Sequence, residues 1–332
     1  MFPSITRRRA IGITAAAAGL SLFPGASPTH ASGQLVEWRG HAMGAVAALR
    51  IHHHDRAAAN ELIRRAISEM QRLERIFSLY RDDSALVTLN RNGVLVAPPP
   101  ELVTLLSQCR TYGELTHGAF DPTVQPLWTL YREHFSNANA DPAGPPDEAV
   151  AATLARVGFA HVAFNADRIV LPRRGMALTL NGIAQGFITD RVVAMLRLDG
   201  VEHSIVDMGE PRAMGSRPDG SPWRVAVANP DDPQSLGQAF DVIDKAVATS
   251  GSYGFRFDRE GRFHHLIDPR TGRPGNRYRS LTVVLPTATA ADALSTAFSF
   301  MNSAEIERTR QALGSGDIFA VTSSGQIETF GG

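Results

Sequence analysis

The chain has 332 residues, with 33 Lys plus Arg against 33 Asp plus Glu, a formal net charge of zero, and 43% hydrophobic against 20% charged residues. Balanced charge shows no nucleic-acid footprint, and this apolar share excludes a disordered or collagen-like chain while allowing a sizeable core. A single cysteine, Cys109, excludes an internal disulfide.

At the N-terminus, Thr6-Arg7-Arg8-Arg9-Ala10 precedes an apolar run from Ile11 to Phe23. That run is too short to cross about 30 Å of hydrocarbon. Charge, then a mild Ala-rich run, then the small residues around Ala31 predict a twin-arginine export signal over residues 1–31. The mature domain is then 32–332, periplasmic, not inserted in the membrane and slightly acidic, because the segment removed carries three arginines and no acid.

Leu62, Ile63, Ala66, Ile67, Met70, Leu73, Ile76 and Phe77 fall on one stripe and predict a long amphipathic helix capped by Asp55. A second helix is predicted from Pro100 to His117, with Cys109 facing inward and Gly118 as its stop. Asn137 to Asp147 reads as an exposed loop. Beyond it come short β-rich segments at Val162–Phe164, Ala177–Leu180, Ser204–Val206, Trp223–Val227 and Leu281–Leu285, with helices at Phe187–Leu198 and Ala291–Met301. The pattern is α+β, without the strict βαβ alternation of a doubly wound sheet. His52-His53-His54 reads as a strand end, since adjacent strand side chains point to opposite faces and cannot converge on one ion.

Several turns hold more Gly, Asp, Thr, Asn and His than packing requires: Ser78 to Asn90, Gly118 to Val124, Asn181 to Gly186, Asp207 to Glu210, Thr249 to Gly251, His265 to Gly272 and Ala291 to Ala297. Gly182-Ile183-Ala184-Gln185-Gly186 leads into a predicted helix and could present backbone N–H groups to a phosphate. Asp292 and Thr296, four apart on a helix, offer a carboxylate and a hydroxyl on one face, which suits a hard cation.

In that order these turns resemble the signatures of the ApbE family of FAD:protein FMN transferases across nearly the whole mature chain. The resemblance implies a T-fold-related, two-lobed arrangement with the flavin nucleotide in the cleft between lobes. It implies that FAD is split at its pyrophosphate, FMN moves to a Ser or Thr hydroxyl of an acceptor protein, and AMP leaves. By the same resemblance Ala184, Asp292 and Thr296 hold Mg²⁺, and His265 helps deprotonate the attacking hydroxyl, a task suited to an imidazole of unperturbed pKa near 6.5. Flavin binding falls to Met43, Tyr80, Phe120, Asp121, Gln185, Asp190, Asp207, Gly209, Glu210, Thr249, Ser250, Gly251 and His265. The chain departs from the family pattern at Met43-Gly44-Ala45, at Gln185, where a lysine is usual, and at Val206 to Glu210. Its Asn-Gly-Ile-Ala-Gln-Gly form looks like the NosX-type branch, which implies nitrous oxide respiration and the membrane protein NosR as acceptor. Two alternatives remain at this point: attack by water, giving a FAD pyrophosphatase, and a non-catalytic flavin-binding or assembly protein.

Overall fold

The computed structural model describes residues 33–331, so the export-signal reading of residues 1–31 lies outside them. A hairpin opens the chain, β1 (Gln34–Ala42) and β2 (Ala45–His53), turning on Met43 and Gly44, both at positive φ (50° and 84°). Two such residues give the turn the twist that flanking strands need. Helix α1 (Arg56–Phe77) follows, and the Asp55 carboxylate accepts from the Ala57 and Ala58 N–H groups as the sequence predicts. Its stripe from Leu62 to Phe77 is buried except at Ile67, which is half-buried.

Next come α2 (Ala85–Asn92), β3 (Val94–Val96) and α3 (Pro100–Leu115), with Cys109 fully buried. Helices α4 (Gln125–Ser136) and α5 (Asp147–Leu154) flank the predicted loop, and β4 (Ala163–Phe164) and β5 (Arg168–Val170) join β3 in a small sheet. The predicted strand at Ala177–Leu180 is absent. Its Leu178 is held on both backbone groups by the Asn90 side-chain amide, which accepts from Leu178 N–H at 2.7 Å and donates to its carbonyl at 2.8 Å. Asn90 stands where a strand partner would.

The remaining elements are α6 (Ala184–Leu198), β6 (Ser204–Asp207), β7 (Pro211–Met214), β8 (Trp223–Ala228), β9 (Leu236–Val242), β10 (Ala246–Gly251), β11 (Tyr278–Leu285), α7 (Ala288–Phe298), α8 (Ser303–Leu313), β12 (Asp317–Thr322) and β13 (Ile327–Phe330). Helices α6 and α7 each begin three residues before the apolar pattern suggests, because the turns ahead of them are helical too.

Eight strands form one antiparallel sheet in the order β1-β2-β6-β7-β10-β11-β12-β13. Alternate residues serve two cores. Val206, Met214, Ala246 and Val283 face the main core under α1, α6 and α7, while Ile205, Ala213, Val247 and Val284 meet Trp223, Val225 and Phe240 of the β8–β9 hairpin. A separate cluster of Leu127, Tyr131, Val150 and Ile267, flanked by Trp128, Phe257 and Phe263, ties α4 and α5 to the 252–275 loop. Tyr131 donates to the Gly272 carbonyl at 2.9 Å. These are two lobes, and a cleft lies between them.

Candidate active site

Helices α6 and α7 supply one wall of the cleft, and two glycines let α7 approach closely, one at its backbone and one at a side chain. A Cβ on Gly186 would lie 2.3 Å from the Ala288 carbonyl oxygen, and one on Gly182 would lie 2.8 Å from Thr296 Oγ1. No other residue fits either place without moving backbone or displacing that hydroxyl. The Gly186 N–H donates to Asp292 Oδ2 at 3.1 Å. So the glycine loop serves α7 first, and one of the N–H groups expected to face a phosphate is already taken. Ala184 sits in this loop between the contacts to Asp292 and Thr296. Ser250, at the end of β10, places Oγ 2.9 Å from Ser295 Oγ and 3.4 Å from Thr296 Oγ1.

Three carboxyl groups are buried at or behind this wall. Asp292 is 4% exposed, and burial pushes its carboxyl up to about 7 against the opposing Gly186 hydrogen bond, with Asp190 adding to the rise. Burial pushes Asp207 up to about 6, its one donor being Gly209 N–H at 2.9 Å. Glu210 is raised well above the usual carboxylate range by burial, then by the charges of Asp292 and Asp207. No arginine or lysine is among the charges acting on any of the three. Among the described residues no three His, Cys, Asp or Glu side chains converge as a metal cluster. A cation here would therefore need mixed oxygen donors: a carboxylate, a hydroxyl and backbone carbonyls.

The facing wall is aromatic. Trp128, Tyr253 and Phe255 line it, with Phe120 and Phe300 also at the cleft, and Trp128 packs against Phe255 with ring centres 5.6 Å apart. His265 lies here, half-buried, under Gly254, where a Cβ would come 2.6 Å from His265 Cε1. Its Nδ1 is 3.3 Å from the Phe255 carbonyl. A carbonyl can only accept, so Nδ1 carries the proton and Nε2 is the basic nitrogen. Burial, helped by His264, pushes the imidazole down to about 4, well below the value the sequence suggests. The empty space of the cleft, counted out into open solvent, is about 1200 Å³.

Of the sequence-predicted residues, Phe120, Asp121, Gln185, Glu210, Thr249, Ser250, Gly251, His265, Asp292 and Thr296 line this one cleft. Asp121 is engaged as a turn cap, accepting from the N–H groups of Thr123 and Phe159. Gln185 packs over Gly209, which is at φ 115° and has no room for a Cβ beneath the amide. Tyr80 is on the rim, its hydroxyl 3.4 Å from Asn181 Nδ2. Met43 packs partly buried on the main core and does not line the cleft. Asp190 does not line it either: its carboxylate is consumed by Arg212 and by the start of α7. Sequence reasoning missed Tyr253, Phe255 and Phe300, which lie outside the polar turns and carry no local signal. Asn181 lay within the quoted glycine loop and was legible there.

A mixed helix-and-sheet body whose interlobe cleft sets buried acids and hydroxyls beside aromatic rings has the lining of a site for a polar, ring-bearing ligand. The sequence model of the ApbE family matches residues 43–318. The chain is 34% identical over 230 residues to FAD:protein FMN transferase of Vibrio cholerae, covering 68% of each, and 31% identical over 282 residues to that of Treponema pallidum, covering 77% of this chain and 75% of the relative. Among solved structures it resembles the Pseudomonas stutzeri flavinyl transferase ApbE in apo form, with TM-score 0.75, 26% identity and coverage of 91% and 96%. It also resembles the ApbE protein of Thermotoga maritima, with TM-score 0.77, 28% identity and coverage of 90% and 97%. The chain belongs to the ApbE family, and by that membership it is a transferase.

Proposed function

We propose that the chain is a FAD:protein FMN transferase acting in the periplasm after twin-arginine export. The observation that carries the reading is the two-sided cleft: short-handed buried acids and hydroxyls on one wall, aromatic faces and a neutral histidine on the other. Phosphates and their counter-cation belong on the first wall, and flavin or adenine rings on the second. The relatives' printed names support the general reaction.

In this reading a Ser or Thr Oγ of an acceptor protein attacks the phosphorus of the FMN half, the bond from that phosphorus to the bridging oxygen breaks, and AMP leaves. His265 Nε2 takes the hydroxyl proton, and the Phe255 carbonyl holds the ring in the tautomer that allows it. Tyr80, Phe120, Asp121, Gln185, Asp207, Gly209, Glu210 and the Thr249–Gly251 turn would shape the flavin site.

The residues fit a divalent ion: Asp292 has one hydrogen-bond donor, Gly186 N–H, and its carboxyl is raised by burial without a cation. Asp292, the Thr296 hydroxyl and the Ala184 carbonyl would hold Mg²⁺, and an all-oxygen set would accept Mn²⁺ as well. When bound there, the ion would offset negative charge on the pyrophosphate oxygens. The NosX-like loop form supports NosR of nitrous oxide respiration as acceptor. The test is to incubate the protein with FAD, Mg²⁺ and the periplasmic domain of the candidate acceptor. One Ser or Thr should gain the mass of FMN, with AMP released in equal amount. AMP release without labelling, or flavin retention without AMP, would overturn the assignment.

A further inference from the structure

Asp190 sits on α6 six residues beyond Ala184, about 9 Å along the helix axis, and does not line the cleft. Its carboxylate accepts from Ala288 N–H at 2.9 Å, Thr289 N–H at 2.9 Å and Thr289 Oγ1 at 2.6 Å, which are the first groups of α7. It also accepts from Arg212 Nη1 at 2.6 Å, on β7, two residues past Glu210. The two side chains are largely buried, at 17% and 14% exposed. Three elements thus meet on one carboxylate. α6 carries the Gly182–Gly186 loop, α7 carries Asp292 and Thr296, and the turn into β7 carries Glu210.

We propose that Asp190 is a positioning residue that fixes the spacing of α6, α7 and β7, and so the geometry in which the cleft presents its oxygen donors to a divalent cation. This rests on the reading of the α6–α7 wall given above. At Gly186 the two helix backbones touch and Asp292 supplies a single bond from α7, to the Gly186 N–H, whereas Asp190 gives α6 three bonds to the start of α7 and one to β7. A free helix start would also favour a negative group, but a solvent-exposed acid would satisfy that equally well. Asp190 instead spends its remaining oxygen capacity on Arg212, which a simple cap does not require.

The test uses Asp190→Asn and, because that variant could lose too much stability to fold, Thr289→Val, which removes only the hydroxyl bond. Mn²⁺ affinity is read by electron paramagnetic resonance in the absence of FAD, alongside kcat and KM for FMN transfer at a temperature well below each Tm. Asp190→Asn should weaken Mn²⁺ binding about 10- to 100-fold, the range seen when groups supporting a metal's ligands are removed. Thr289→Val should weaken it about two- to tenfold, as loss of one hydrogen bond would. In both, kcat should fall at subsaturating metal and recover with excess Mg²⁺, while KM for the acceptor stays put. A folded variant that loses thermal stability yet binds Mn²⁺ like wild type would overturn the proposal and leave Asp190 a structural cap. Wild-type protein that binds Mn²⁺ but transfers no FMN would instead overturn the transferase reading, with the Mn²⁺ comparison still deciding the role of Asp190.

Discussion

The two sides of the cleft give their carboxylates different partners. On the α6–α7 wall, Asp292 and Asp207 have one donor each and Glu210 is pushed up by both. On the facing side, Asp121 is bound by the Thr123 and Phe159 N–H groups, and Asp268 is clasped by the Arg270 guanidinium at 2.8 and 2.9 Å. Buried polar groups are normally satisfied, so a wall left short of partners marks where a ligand completes the set. Three buried acids with no cationic partner gather on the α6–α7 side, while on the other side burial raises Asp121 and leaves Tyr253 Oη and His264 Nε2 without partners.

The strongest way to break that division is Asp292→Ala. It should lower FMN transfer on the order of 10³-fold or more, the scale of removing a main stabiliser of developing charge, and abolish any rise in Tm on adding Mg²⁺. The variant should fold, because the change removes a buried carboxyl that lacks a cation. Wild-type turnover with retained metal binding would show that the acid wall is not where the cation sits.

His265→Gln asks whether the aromatic wall also carries the base. It should lower kcat about 10²-fold with little change in the affinity for FAD. Because His265 is held down to about 4, wild-type kcat should show no inflection near pH 6.5 from this group and should fall only toward the acid end. Rate profiles from pH 4.5 to 8 that coincide for the two proteins would remove His265 from the chemistry. Trp128→Ala sharpens the same contrast from the other direction. FAD binding should weaken about threefold to tenfold, the worth of an aromatic contact, and Mn²⁺ affinity should not move. A loss of metal affinity instead would mean the walls are not separable.

Much of this was legible because the informative residues are those that local packing does not need. Asp292 and Thr296 were four apart on a helix, Gly186 stood where two backbones touch, and Gly182 stood against the Thr296 hydroxyl. Asp190, expected at the flavin, bonds to the start of α7, and the sequence carries no sign of that contact because α7 is about a hundred residues away. The strand predicted at Ala177–Leu180 failed for a related reason: its partner is a single side chain, Asn90, and no periodicity records that. The aromatic wall was invisible too, since Phe255 reaches Trp128 of α4, and Tyr253 reaches Gly251, only through the fold of the 252–275 loop.

The smallest effect is on stability, and its sign separates the two walls once more. Unfolded aspartates titrate near 3.9, whereas folded Asp292 and Asp207 titrate at about 7 and about 6. Between these values the native state holds more protons than the unfolded one, so metal-free stability falls as pH rises, by at most about 1.4 kcal/mol per pH unit for each group. His265 acts in the opposite sense. Its folded value of about 4 lies below the unfolded value near 6.5, so it adds stability as pH rises through that interval. Below pH 6.5 the two walls therefore offset one another, and above it the acids act alone. Metal-free wild-type protein should lose a few degrees of Tm between pH 6.5 and 8, and Asp292→Asn, which cannot ionise, should lose less. Saturating Mg²⁺ should flatten the wild-type slope, since a cation favours the ionised carboxylates that burial alone disfavours. Equal slopes for wild type and Asp292→Asn without metal would mean that Asp292 ionises freely in the folded protein, and the contrast between the walls would fail at its central residue.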